Sequence, residues 1–365
     1  MKELKLHIKP LKEWISIGKT PLIISGPCSA ESSEQLLKTA QALKQTGFVK
    51  IFRSGLWKPR TRPDLFEGVG EKGLKWLKNV KEKTGLLTCV EVATSKHVDL
   101  CVNAGVDILW IGARTTANPF SIQEIADALK GKDIPVMIKN PINPDLKLWI
   151  GAIERINKAG IKKIIAIHRG FNSYDSTPYR NAPIWEIPIE LMRICPKLPV
   201  ICDPSHISGN TYLLEQIAQK ALDLEMDGFM IESHYNPKLA LSDKEQQITP
   251  AELSKLVKKL IIRKHSTNDK ELINKLEELR FEIDKIDVKL IQFLSKRMKL
   301  VEQIGYYKKE NNITILQLKR WNSIIKESLT MGEKLGLKKE FLLKFLHAIH
   351  EESIQKQTDI FKNKI

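Results

Sequence analysis

No apolar run in the chain approaches the ~20 residues that cross a bilayer, and the opening MKELKLHIKP has no uninterrupted apolar stretch of the secretory kind. Neither a membrane span nor an exported precursor is expected, so the expected location is the cytoplasm. Cysteine is scarce: the five residues Cys28, Cys89, Cys101, Cys195 and Cys202 are scattered, and none forms a CxxC pair. That excludes a disulfide framework and leaves each thiol, by default, buried and reduced. Acidic residues are outnumbered, 43 against 59 basic, which gives a formal charge of +16. Yet there is no arginine-rich tail, zinc-finger spacing or aromatic RNA-binding strand, so no nucleic-acid partner is expected. A positive field also suits small anionic substrates.

A Gly-rich turn after the first strand, the mark of a doubly wound nucleotide-binding sheet, is missing as well. What is present from residue 20 to about 260 is an alternation of short apolar runs and amphipathic stretches. The runs are PLIIS, VKIF, LLTCVEV, DILWIG, PVMIK, KIIAIH, PVICD and GFMIES. Between them lie helical patterns such as SSEQLLKTAQALKQTG and LWIGAIERINKAG, several closed by Gly. Strands apolar on both faces and separated by crossover helices imply a parallel sheet, and about eight of them close a (β/α)8 barrel. The fold class expected is thus α/β, a TIM barrel over residues 1–262 with a short N-terminal extension.

Almost every expected strand ends in a reactive or charged residue. Cys28 follows the first and Arg53 and Lys58 the second. Glu91, Arg114, Lys139, His168 with Arg169, Asp203 with His206, and Glu232 follow the others. A barrel gathers its strand C-termini on one face, where active sites form. Cys28, His206, Glu232 and the later Asp243 make a mixed thiolate, imidazole and carboxylate set able to hold a divalent ion. Any one of them alone would read as structural; together, after three strands, they read as a site. Arg53, Lys58, Arg60, Arg114, Lys139 and Arg169 form a second, cationic set fit to hold two phosphorylated substrates.

The segments GPCSAES, FRSGLWKPRTRPDLFEGVGEKGL, IGARTTANPF, VMIKNP, IHRGF, DPSH and IESH with SDKEQQ resemble the 3-deoxy-7-phosphoheptulonate (DAHP) synthases. The likeness is to the short type I subfamily that is itself similar to the 3-deoxy-octulosonate 8-phosphate synthases, and it runs in order over roughly residues 20–250. The resemblance implies that Cys28, His206, Glu232 and Asp243 bind a divalent metal ion, one of Mn, Fe, Co or Zn. It implies that Arg114, Lys139 and Arg169 hold the phosphate of phosphoenolpyruvate, with Arg53 and Lys58 near its carboxylate and reacting carbons. Arg60 and Thr61 of KPRT would meet the phosphate of erythrose 4-phosphate, and the metal would activate the aldehyde toward the enol carbon. Glu91 would orient the incoming water or move a proton, or make only a structural hydrogen bond. Asn140-Pro141 departs from the Arg-Gly of many relatives after the strand-five lysine.

After Leu260 the pattern changes. Residues 263–270 read as a polar linker, and residues 271–365 show three helical patterns and no strand. The first carries an apolar stripe at Leu276, Leu279, Ile283, Ile286, Leu290, Phe293 and Leu294, too long to be buried within so small a piece. A homodimer through this domain, or a higher oligomer, is expected. LEELRFEIDKIDVKLIQFLSKRMKLVEQIGYYKK and EESIQKQ resemble the all-helical chorismate mutases. The resemblance implies an active site in which Arg280 crosses from the neighbouring copy, Arg280 and Arg297 clamp the two carboxylates of chorismate, and Lys308 and Gln357 face its ether oxygen. Gln317, Arg320 and Ser353 fill the remaining polar positions. Trp321 stands where many relatives place a glutamate for the substrate hydroxyl, so that contact is lost or supplied elsewhere, for example by Gln317.

The resemblance therefore implies a bifunctional enzyme that makes DAHP and converts chorismate to prephenate. Two rival readings differ from it. In one, the tail only senses chorismate or prephenate; in the other, the barrel makes an octulosonate phosphate.

Overall fold

The computed structural model describes residues 4–362 apart from 17, 19, 59–65, 175–176 and 265. The chain divides into two compact units, residues 1–265 and 266–365. In the first, β1 (Leu22–Gly26), β2 (Val49–Ser54), β3 (Leu87–Val92), β4 (Ile108–Ile111), β5 (Val136–Lys139), β6 (Ile164–His168), β7 (Val200–Cys202) and β8 (Gly228–Glu232) pair in parallel, each with its successor. β1 also pairs with β8, from Leu22 opposite Gly228 to Gly26 opposite Glu232, which closes the barrel. Each expected apolar run coincides with one of these strands.

The connections are α1 (Ser33–Gln45), α2 (Lys72–Thr84), α3 (Ser95–Asn103), the single turn α4 (Ala113–Thr116), α5 (Pro119–Leu129) and α6 (Leu146–Lys158). They continue with α7 (Glu186–Ile194), the short α8 (Pro204–Ser208), α9 (Leu214–Asp223) and α10 (Pro250–Lys259). Local chemistry sets the starts: Ser32, Thr94, Asn118 and Asp145 each accept a hydrogen bond from the first turn of the helix they precede. Thr249 and Glu252 form a reciprocal capping box on α10.

Period-two alternation divides the strand residues between two cores. Leu22, Ile24, Ile51, Cys89, Ile108, Trp110, Met137, Ile165, Ile201 and Met230 fill the barrel interior, joined by Leu11 and Ile15 from the segment before β1. Their neighbours, such as Ile23, Phe52, Val90, Leu109, Ile111 and Ile138, pack outward against the helices. The five cysteines are all buried and unpaired.

The second unit consists of α11 (Lys270–Glu310), α12 (Leu318–Lys334) and α13 (Lys339–Lys362). α13 runs beside the C-terminal half of α11 in the same direction: Arg297 reaches Ser353, Lys356 reaches Glu302, and Lys309 reaches the Ile360 carbonyl. Upstream of that contact the apolar stripe of α11 is bare within this chain. Leu276, Leu279, Ile283, Ile286, Leu290 and Phe293 are 40–65% exposed. Among the described residues no helix is long and apolar enough to cross a membrane.

Candidate active sites

At the end of β1 the chain turns through Gly26-Pro27 to place Cys28. A Cβ at Gly26 would meet the Arg53 carbonyl oxygen at 2.1 Å, and its φ is +156°, so only glycine fits here. The Cys28 thiol donates to Asp243 Oδ2 at 3.1 Å and accepts from Lys58 Nζ at 2.9 Å. Burial, with Glu232 adding to it, pushes this thiol up to about 12, against the pull of Lys58. Asp243 adopts φ 45° and ψ 40°, a left-handed conformation that aspartate tolerates at some cost. It is held there by Cys28 and by Arg180, which donates to Asp243 Oδ1 at 3.0 Å and to Gln246 Oε1 at 2.8 Å. Burial opposes its carboxylate, but Cys28, Lys58, Arg180 and His206 together hold Asp243 below the usual range.

A second anchor lies at the ends of β7 and β8. Asp203 caps α8 through the His206 amide, and its other oxygen accepts from Lys139 Nζ at 2.8 Å. That same oxygen lies 2.8 Å from His206 Nδ1, outside hydrogen-bond alignment. Burial opposes the Asp203 carboxylate, yet His206, Lys139 and Arg53 hold it well below the ordinary value. Glu232 is wholly buried, with Oε1 3.0 Å from Arg53 Nη2 and 3.9 Å from His206 Nε2. Gln246 Nε2 donates to its Oε2 at 2.7 Å.

The thiol, imidazole and two carboxylates thus stand as two pairs, Cys28–Asp243 and His206–Glu232, within one buried field of charge. Among the described residues, no three His, Cys, Asp or Glu side chains converge closely enough as placed to enclose a cation. The donor chemistry nonetheless fits one. Glu232 Oε1 is buried without an aligned hydrogen bond and faces Nε2 of His206, whose other ring nitrogen is turned to Asp203, and a borderline divalent ion takes sulfur, nitrogen and oxygen together.

The cationic set extends across the neighbouring strand ends. Arg53 is buried, with its guanidinium 5.0 Å from the Trp110 ring centroid. Lys139 is buried against Asp203. Arg169 donates through Nη1 to Asn181 Oδ1 at 2.7 Å. Burial, then the nearby Arg180 and Arg114, bring the Arg169 guanidinium down to about 10, against the pull of Asp203 and Glu91. Arg114 is exposed on α4. Glu91 accepts from the Trp110 indole at 3.1 Å. Arg60 and Thr61 lie outside the described residues. Asn140 supplies contacts the motif left open: it donates to the Gly170 and Pro141 carbonyls at 2.8 Å and accepts from the Arg169 amide at 2.7 Å. It therefore ties the β5 and β6 ends together. Sequence alone assigns no site role to Asp203, Arg180, Asn181 or Gln246; Asp203 carries a signal as a strand-end residue inside DPSH and Gln246 inside SDKEQQ, whereas Arg180 and Asn181 carry none.

In the helical unit, Arg297 Nη1 donates to Ser353 Oγ at 2.7 Å, and the Ser353 hydroxyl in turn donates a hydrogen bond to the Ile349 carbonyl at 2.6 Å. Gln357 lies one turn on, donating to the Ser353 carbonyl at 3.2 Å, with its Oε1 buried and unpartnered among the described residues. Lys308 Nζ turns to the Ile315 carbonyl at 2.6 Å. Gln317 and Arg320 are exposed at the start of α12. Arg280 does not join them. It pairs with Glu277 at 2.5 Å, and the 17 positions that separate it from Arg297 on one helix span roughly 25 Å at the helical rise.

A model of the DAHP synthetase I family matches residues 6–268, and a model of chorismate mutase type II matches residues 279–358. Over 226 residues, 62% of this chain and 64% of the relative, the chain is 33% identical to a phospho-2-dehydro-3-deoxyheptonate aldolase of Thermotoga maritima. It is 28% identical over 261 residues to a 2-dehydro-3-deoxyphosphooctonate aldolase of Trichlorobacter lovleyi, covering 67% of this chain and 92% of that one. A crystal structure of the Thermotoga maritima DAHP synthase superposes with a TM-score of 0.59 at 30% identity, over 66% of this chain and 67% of that one. The matched region thus spans a little under two thirds of the Thermotoga sequence relative's length.

Proposed function

The chain belongs to the DAHP synthetase I family, and from that premise and the charge arrangement at the strand ends we infer that residues 1–262 condense phosphoenolpyruvate with erythrose 4-phosphate and water. The products are 3-deoxy-D-arabino-heptulosonate 7-phosphate and phosphate. Residues 271–365, behind a linker at 263–270, rearrange chorismate to prephenate.

The observation that carries the first activity is the meeting, on one barrel face, of two buried anion-bearing pairs with Arg53, Lys58, Lys139 and Arg169. Cys28, His206, Glu232 and Asp243 are the residues that would hold a divalent ion. Such an ion, when bound, supplies Lewis acidity toward an aldehyde oxygen. The protein's own groups do the rest. Lys139 and Arg169 bind the phosphate of phosphoenolpyruvate with Arg114, and their orientations are set in advance by Asp203 and Asn181. Arg53 neutralises the carboxylate end from a buried position, where its charge is least screened. Lys58, bridging the Cys28 thiol and carbonyl, stands beside the reacting carbons. There its ammonium keeps its proton, since Cys28, Glu232 and Glu91 outweigh the burial that opposes it. Glu91 is oriented by the Trp110 indole toward the same face, where it can direct the water that adds at C2. Arg60 and Thr61 would take the aldose phosphate.

The second activity needs no acid, base or nucleophile, because the rearrangement is pericyclic; fixed cations and a compact bound conformer suffice. Arg297, Ser353 and Gln357 supply one wall. The distance from Arg280 to Arg297 means that Arg280 serves this site only from a second copy, laid along the bare stripe of α11. A homodimer through α11 follows from the same reasoning.

Mass analysis of the product from phosphoenolpyruvate and an equimolar mixture of erythrose 4-phosphate and arabinose 5-phosphate tests the barrel assignment. A seven-carbon product is expected. A predominantly eight-carbon product would make the barrel an octulosonate phosphate synthase. In parallel, chorismate binding without prephenate formation would leave the tail only the role of a sensor.

A further inference from the structure

Trp321 and His350 form an aromatic pair where α13 meets the start of α12. Trp321 lies on the first turn of α12, directly after Arg320, and its indole stacks on the His350 imidazole with ring centroids 3.8 Å apart and planes 8° from parallel. His347 meets the same indole edge-on at 5.5 Å and 72°. His350 precedes Ser353 by three positions and Gln357 by seven, so all three share one face of α13, the face on which Arg297 lands. The imidazole is half-buried. Burial, then Arg297 and His347, lower its pKa from the ordinary value, so the ring is neutral near pH 7 and retains one nitrogen able to accept a hydrogen bond.

Of the side chains that the mutase reading places in this site, Arg297, Arg320 and Lys308 are cations, and the Trp321 indole that stacks on His350 has only an N–H; the acceptor Gln357 Oε1 lies two turns further along α13. A substrate that presents carboxylates to the cations and a hydroxyl to this end of the pocket needs an acceptor there, and an indole cannot be one. We propose that His350, fixed by its stack on Trp321, accepts the ring hydroxyl of chorismate in the mutase site. This rests on the mutase reading of the helical unit. His350 is then a substrate-binding residue, and Trp321 a positioning residue that acts through it.

The test uses the full chain and compares kcat/KM for chorismate with that for 4-deoxychorismate, which lacks the hydroxyl, in the wild type, His350→Leu, His350→Gln and Trp321→Phe. Loss of one well-placed hydrogen bond predicts that His350→Leu lowers kcat/KM for chorismate about 10- to 100-fold while leaving the deoxy analogue within about twofold. His350→Gln, which keeps an acceptor, should recover most of the loss. Trp321→Phe, which presents a smaller ring face to His350, should lower kcat/KM for chorismate more than for the deoxy analogue, though by less than His350→Leu does. Equal loss toward both substrates would make His350 merely structural and overturn the proposal. So would an unchanged rate for chorismate in His350→Leu. A wild-type chain that forms no prephenate from chorismate would instead overturn the mutase reading itself, and the proposal with it.

Discussion

At Cys28 one side chain meets an ammonium and a carboxylate at once, and its thiol is held protonated by burial. A cation in that position would reverse the balance, since thiols give up their proton on coordination. Cys28→Ser is therefore expected to lower synthase turnover about 100-fold or more and to reduce the divalent metal that co-purifies with the chain. Phosphate release and elemental analysis read the two effects, and unchanged turnover together with unchanged metal content would remove Cys28 from the site. How much of this region the sequence reveals depends on the kind of contact. That thiol, imidazole and charged side chains follow strand ends is legible, because each stands next to an apolar run. Arg180 is not: it reaches Asp243 across 63 residues, and nothing in the loop that carries it distinguishes it from a solvated arginine. Asn140 looks like a departure from a motif until its bonds to Gly170 and Arg169 appear.

Among the elements, the strands are the most legible, since burial on both faces requires continuous apolar runs, and all eight runs are strands of the barrel. Helices α3 and α7 are harder to read. They have nine residues each, and α3 buries only Val98 and Cys101. The turn after β1 is the element on which the site most depends. Gly26→Ala would drive a methyl group into the Arg53 carbonyl, which belongs to β2 and has no freedom to retreat. The expected outcome is a fall in melting temperature and in synthase activity together, measured by thermal denaturation and phosphate release. A variant with wild-type melting and activity would show that the turn relaxes at little cost. The stripe on α11 is legible from its spacing, and its length already implies that one chain cannot cover it, but a periodic pattern says which face is apolar and not what covers it.

In the whole molecule, two compact units carry two sets of polar residues, and on the mutase reading proposed for the second unit its set is completed only by another copy. Arg280 and Arg297 lie too far apart on α11 to share a substrate within a chain. Arg280→Ala and Arg297→Ala variants should each be nearly inactive as mutases. Mixed after mild dissociation, they should regain up to about a quarter of wild-type activity, because half of the dimers would contain one site with both arginines intact. No recovery on mixing, with exchange of subunits verified by mass, would place Arg280 outside the site. The synthase rate of both variants should be unaffected.

We infer that the strand ends of the barrel form a metal-supported site for joining phosphoenolpyruvate to a four-carbon aldose phosphate. The most direct test is phosphate release from phosphoenolpyruvate by the full chain after exhaustive chelation, with and without added Mn, Fe, Co or Zn, and with erythrose 4-phosphate present or omitted. Release that requires erythrose 4-phosphate, disappears on chelation and returns with a divalent ion is the predicted result. Undiminished release by the chelated, metal-free chain would contradict it.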